Sequence, residues 1–173
     1  MTDKQRTVMR ETPLEHITLR RYEKPFRLEG RPLVKKFCLS VGVLQPGDSR
    51  DVVVDVLHTL LKNHRLTASE IETAVKEERK KHILPMLGVT SANIRRQLRR
   101  LQQLHLIDRT TGSYHFTEKL TLSEVLNEKT LKVLLGSIVE RVQEYAKRID
   151  ENFPNSDASR PHSGKFRDKP EET

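Results

Sequence analysis

The side chains best placed to do chemistry lie in T-S-A-N-I-R-R-Q-L-R-R-L-Q-Q, Thr90 to Gln103, where four arginines fall within six residues. A guanidinium is a planar fork of donors that grips guanine edges or phosphate oxygens in pairs, while Asn and Gln pair the same way with adenine. On a helical wheel, Ile94, Leu98 and Leu101 share a narrow arc, with Leu104 to one side. Ala92, Arg96, Arg99 and Gln103 fall opposite, flanked by Asn93, Arg95 and Arg100. One face can therefore bury itself while the other presents Ser91, Asn93, Arg95, Arg96, Gln97, Arg99, Arg100 and Gln103 to a ligand. Between Ser91 and Arg109 there are five arginines and one acid, Asp108. An ordinary solvated face mixes signs, as K-E-E-R-K-K at Lys76–Lys81 does. This helix does not, and that imbalance points to an anionic partner. Double-stranded DNA is the expected one, because a helix fits its major groove and the deep, narrow groove of RNA excludes it.

No other chemistry competes. The chain holds only 7 glycines and no loop of the spacing that cradles nucleotide phosphates. Cys38 is the only cysteine and lies on an apolar helical stripe, the setting of a small buried hydrophobe. The histidines are scattered: His58 and His64 lie six apart, His82 is isolated, and none matches a zinc spacing. His105, at the end of the arginine helix, either complements the helix dipole or is an ordinary surface residue. Helix capping accounts for G-D-S-R-D, Gly47 to Asp51. No metal, cofactor or catalytic activity is expected.

Bulk composition agrees. The 173 residues carry a net charge of +8, with 32% charged and 35% hydrophobic side chains, enough apolar content for one core and a basic balance suited to nucleic acid. No apolar run reaches the length of a membrane span, and the N-terminus lacks the apolar centre of a secretory signal. A cytoplasmic, nucleoid-associated protein is expected, without a disulfide.

The elements that must position the arginines follow from periodicity. Residues 1–12 read as a mobile arm and 13–47 as an extension packing on the core, with a short strand near Ile17 and Leu19. Leu33, Val34, Phe37, Cys38 and Val41 then give helical spacing, with Pro32 near the start. Q-P-G-D is a turn, after which Asp48 or Ser49 can cap the apolar helix of Val53, Val56, Leu57, Leu60 and Leu61. Thr67 and Glu70 form a capping box for a second helix carrying Ile71, Ala74 and Val75. Pro85 and Gly88 break the chain, Thr90 or Ser91 caps the arginine helix, and strands near Ile107 and over Ser113–Thr117 flank a turn at Gly112.

The pattern of T-A-S-E-I, G-V-T-S-A-N-I-R-R-Q-L-R-R-L-Q-Q-L-H-L-I and D-R-T-T-G-S-Y-H-F resembles the winged helix–turn–helix superfamily of bacterial and archaeal transcription regulators, over Ser49 to about Thr117. The resemblance implies a mainly α fold with a small β-hairpin wing (α+β) over residues 48–118. The helix at Ser91–His105 would be the recognition helix, and the hairpin Ile107–Phe116 a wing touching DNA through Arg109, Thr110, Ser113 and His115. The stretch from Lys80 to Thr90 is longer than a usual turn of this motif, so either the second helix is extended or the turn is irregular.

A long helix follows within residues 119–152, and 153–173 read as a disordered tail. Leu131, Leu135, Ile138, Val142, Tyr145 and Ile149 are spaced 4, 3, 4, 3 and 4, a heptad seam. It suggests a coiled-coil contact in a homodimer; folding back onto the monomer's own core is the other use of the same stripe. The expected function is sequence-specific binding of double-stranded DNA by a dimeric transcription regulator. The alternative is a winged-helix interaction module, for protein or RNA, docking through its N-terminal extension.

Overall fold

Helix α2 (Val52–Asn63) is apolar on nearly every side, and Val52, Val53, Val54, Val56, Leu57 and Leu60 are all buried. A helix with no polar face must be enclosed, and the rest of the main unit encloses it. In the computed structural model, which describes residues 11–116 and 120–154, α1 (Gly30–Ser40), α3 (Ala68–Lys81) and α4 (Ser91–Gln103) all pack on α2. Three short strands, β1 (Arg65–Thr67), β2 (Asp108–Thr110) and β3 (Ser113–His115), form an antiparallel sheet in the order β1-β3-β2. The fold is mainly α with this small sheet.

Several expected local signals are present. Thr67 accepts from the Glu70 N–H while Glu70 returns to the Thr67 N–H, so both halves of the capping box are made. Thr90 caps α4 by accepting from the Asn93 N–H at 3.2 Å. The β2–β3 connection places both Thr111 (φ 50) and Gly112 (φ 84) in the left-handed region, which matches the right-handed twist of a two-residue hairpin. Asp51, and neither Asp48 nor Ser49, stands at the N-cap of α2. Its carboxylate makes no cap and turns instead to Arg31, Lys35 and Arg79.

The expected strand at Ile17 and Leu19 does not form. No strand lies beside it; the Arg20 N–H donates to the Ser40 carbonyl at 2.8 Å and the Arg20 guanidinium to the Leu39 carbonyl at 2.9 Å. The segment thus lies against the end of α1. Gly42 permits this approach, since a Cβ there would stand 2.7 Å from the Thr18 Cβ.

The C-terminal helix starts with a second capping box, Thr121 with Glu124, at α5 (Leu122–Val125). It passes through a π-helical segment (Leu126–Leu135) into α6 (Gly136–Asn152). The π register, with i→i+5 bonding, breaks the phase on which the heptad spacing depends. Leu134 becomes the buried residue, Leu131 and Leu135 are half-buried, and Ile138 packs against the core. Thr130 Oγ1 donates to the Leu104 carbonyl at 2.6 Å and fixes this segment to the end of α4. The first half of the expected dimer seam is thereby drawn toward the monomer's own core. The chain divides into two units between Ile138 and Val139. In the second unit Val142, Tyr145 and Ile149 are exposed at 60%, 67% and 57%. Of the expected N-terminal arm, residues 1–10 lie outside the described residues, as do Thr117 and 155–173 of the expected tail.

Candidate nucleic-acid interface

Helix α4 buries Ile94, Leu98 and Leu101 completely, as its apolar stripe requires. Burial of three such side chains stabilises by roughly 1.5–3 kcal/mol each, enough to fix which way the other face points. On that other face Arg95, Arg96, Arg99 and Gln103 are exposed, and Arg100 is half-buried. None of the four arginines has a carboxylate within ion-pair distance among the described residues. Their spacing sets Arg95 above Arg99 and Arg96 above Arg100, both i,i+4 pairs of like charge, which cost a few tenths of a kcal/mol each.

Asn93 and Gln97 are not free readers. The Asn93 amide donates to the Gly88 carbonyl at 2.8 Å, and its Oδ1 accepts from Arg96 Nη2 at 2.8 Å and from Gln97 Nε2 at 2.9 Å. Gln97, only 8% exposed, in turn accepts from Arg100 Nη1 at 3.0 Å. The two amides form a ladder that orients Arg96 and Arg100. Ser91 is likewise engaged, donating to Glu72 on α3, whose carboxyl is held below its ordinary value by Lys76 and then by Ser91. Of the residues expected to touch a ligand, Arg95, Arg99 and Gln103 are exposed, Arg96 is exposed but oriented by Asn93, and Ser91, Asn93 and Gln97 brace.

The hairpin adds a fifth cation. Arg109 is exposed, and its guanidinium lies 5.5 Å from the centroid of the Tyr114 ring, its cross-strand partner, an attraction of about 0.5–1 kcal/mol at an exposed site. Thr110 is exposed but its hydroxyl meets His115 Nε2 at 3.1 Å, and Ser113 is half-buried. His115 Nδ1 lies 2.7 Å from the Phe116 carbonyl, which can only accept. Nδ1 therefore carries a proton, and in the neutral ring Nε2 accepts from Thr110. Buried in this way, His115 serves the hairpin and has no nitrogen left for a ligand.

The connection that leads into α4 is anchored by a buried ion cluster that composition and periodicity did not disclose. Arg79, on the last turn of α3 and 2% exposed, donates to Asp55 at 2.7 Å, to Asp51 at 2.9 Å and to the Pro85 carbonyl at 2.5 Å. Arg31 and Lys35 of α1 reach the same two carboxylates. Burial pushes the Asp51 carboxyl up, but hydrogen bonds from Arg31 and Lys35 outweigh this and hold it below its ordinary value. Every buried side-chain polar atom among the described residues has a partner, the condition under which buried charge is tolerated.

The cluster also accounts for the long connection between α3 and α4. The α3 helix runs to Lys81 and closes with Ile83 in the left-handed region, the Leu84 N–H reaching back to the Arg79 carbonyl at 2.8 Å. That is a Schellman closure without glycine. The chain then passes Pro85, held by Arg79, and turns at Gly88 (φ 83) into the Thr90 cap. Both expected departures occur together: an extended second helix and an irregular turn.

Elsewhere the chemistry is quiet. Burial pushes the Cys38 thiol up to about 12, so it is protonated at neutral pH. Among the described residues no group of three His, Cys, Asp or Glu could hold a metal ion. No helix there is long and apolar enough to cross a membrane. No family model, curated protein or solved structure matches the chain.

Proposed function

We propose that this chain is a dimeric winged-helix transcription regulator that binds double-stranded DNA, with α4 in the major groove and the β2–β3 hairpin on the backbone. The observation that carries this is the outer face of α4: Arg95, Arg96 and Arg99 are exposed and adjacent, with no carboxylate at ion-pair distance among the described residues, the charge of Arg95 reaching Glu72 only from further off. The element order supports it, with α2, α3 and α4 packed together and followed by a two-stranded hairpin whose Arg109 faces solvent. A groove-reading role suits Arg95, Arg96, Arg99 and Gln103; the braced Asn93 and Gln97 hold the guanidiniums of Arg96 and Arg100 in fixed directions.

Dimerisation is assigned to the exposed stripe of α6, Val139, Val142, Tyr145 and Ile149, whose apolar groups would otherwise stay in water. Sedimentation equilibrium should give a dimer mass, and Val142→Asp with Ile149→Asp should give a monomer.

A gel-shift panel of random duplex, single-stranded DNA and structured RNA at several salt concentrations tests the ligand class. Duplex should bind most tightly, with affinity falling as salt rises. Preference for structured RNA, or no binding to any of the three, would favour an interaction module and remove this proposal.

A further inference from the structure

We infer that the cleft between the Asp48–Arg50 turn and the first turns of α4 is a binding site for a doubly charged phosphate group. It is an open cavity of about 460 Å³, lined by Arg50, Arg96 and Arg100 with Asp48, Gly88 and Thr90 among the remainder. Three guanidiniums against one carboxylate leave a formal charge of +2, the complement of a phosphate monoester or of two successive backbone phosphates. No sequence pattern marks Arg50, because it lies far from α4 along the chain. It is exposed, and its Nε stands 4.0 Å from Asp48 Oδ1, which already accepts the Arg50 backbone N–H at 2.9 Å. Asp48 therefore shapes the turn more than it neutralises the guanidinium.

The other two cations are pre-oriented. Arg96 spends donors on Asn93 and Arg100 one on Gln97, and a guanidinium has five, so each keeps N–H groups for an anion. Gly88 forms part of the cleft wall, next to the Asn93 amide and the Arg50 side chain. Its positive φ and its carbonyl, bonded to Asn93, keep the turn beside α4. Ligand order costs little when donors are already fixed, and charge-assisted hydrogen bonds to phosphate are the strong kind.

Two sources offer this chemistry: the DNA backbone, or a small phosphorylated molecule that would compete with DNA for Arg96 and Arg100. The inference rests on the DNA-binding reading only for the first source. Inorganic pyrophosphate serves as the free probe, measured as a thermal shift against chloride at equal ionic strength, in the wild type, Arg50→Ala and Asp48→Asn. All three should melt alike in chloride, since neither side chain is buried. Pyrophosphate should stabilise the wild type, bind about tenfold or more weakly to Arg50→Ala, where one charge-assisted hydrogen bond is absent, and bind more strongly to Asp48→Asn, which removes the opposing charge.

In a parallel duplex titration, a salt slope shallower by about one in Arg50→Ala assigns the phosphate to DNA. An unchanged slope with the pyrophosphate effect intact assigns it to a small ligand. A pyrophosphate effect without any duplex binding upholds the site and removes the DNA reading. Duplex binding with no pyrophosphate effect, or with one equal in wild type and Arg50→Ala, overturns the site and leaves the DNA reading standing.

Discussion

Arg79 and Arg99 are the same side chain on neighbouring helices, and the fold treats them in opposite ways. Arg79 is enclosed, with Asp51, Asp55 and the Pro85 carbonyl taking up its donors. Arg99 stands in solvent beside Arg95, Arg96 and Arg100, and no carboxylate comes within pairing distance among the described residues. Positive charge alone therefore does not separate structure from function in this chain. The placement of the acids does. α3 carries its own counter-charges, with Lys76 bonded to Glu72 and Glu78 near Lys62 and His82, and α4 carries none.

The largest effect is expected on the enclosed side. Arg79→Ala leaves two carboxylates to share Arg31 and Lys35 and frees the Pro85 carbonyl. Breaking a buried pair in this way costs about 3–5 kcal/mol, read as a lower urea midpoint. Because Arg79 also anchors the turn that precedes α4, the loss of order should extend to the Thr90 cap, which hydrogen exchange at Asn93 and Ile94 would report. A midpoint shift as small as that of a surface substitution would mean that the cluster does not hold the helix.

A smaller effect follows from pH. The Asp51 carboxyl is depressed in the folded state, so its contribution is fully present above the ordinary carboxylate value of about 4 and is lost as pH falls through the depressed one. Acid should thus weaken the wild type progressively below about pH 4. Asp51→Asn should lower stability at neutral pH and flatten that acid limb. An acid limb of unchanged steepness in Asp51→Asn would place the titrating group elsewhere.

The two sides of the comparison are unequally legible in sequence. The α4 face can be read because a helical stripe is local: Ile94, Leu98 and Leu101 fix the buried arc, and the arginines follow. The Thr67–Glu70 box and the Gly112 turn are local in the same sense. Arg79 is hidden inside a run that looks like a solvated face, and its partners lie 24 and 28 residues away. Strand β1 escapes sequence reasoning for a related reason. Arg65–Thr67 has no strand pattern of its own and exists because β3 lies beside it, pairing Leu66 with Tyr114. Spacing suggests one heptad seam for the C-terminal helix. The π register falls on the first part of that seam, where Leu134 is the buried residue, and its backbone bonding is recorded in no side-chain pattern; beyond Ile138, Val142, Tyr145 and Ile149 are exposed.

The smallest expected effect on stability accompanies the largest on binding. Arg95→Ala, Arg96→Ala and Arg99→Ala together remove exposed, mutually repelling charges, so stability should change by no more than about 0.5 kcal/mol per site. Fluorescence anisotropy with a duplex at a series of salt concentrations is the direct measurement. If these arginines bind DNA phosphates, the slope of log affinity against log salt should fall by about 0.9 for each phosphate no longer neutralised, approaching three units less for the triple variant, with binding at moderate salt abolished. A triple variant that is folded and binds duplex with the wild-type affinity and the wild-type slope would contradict the assignment of this face to DNA.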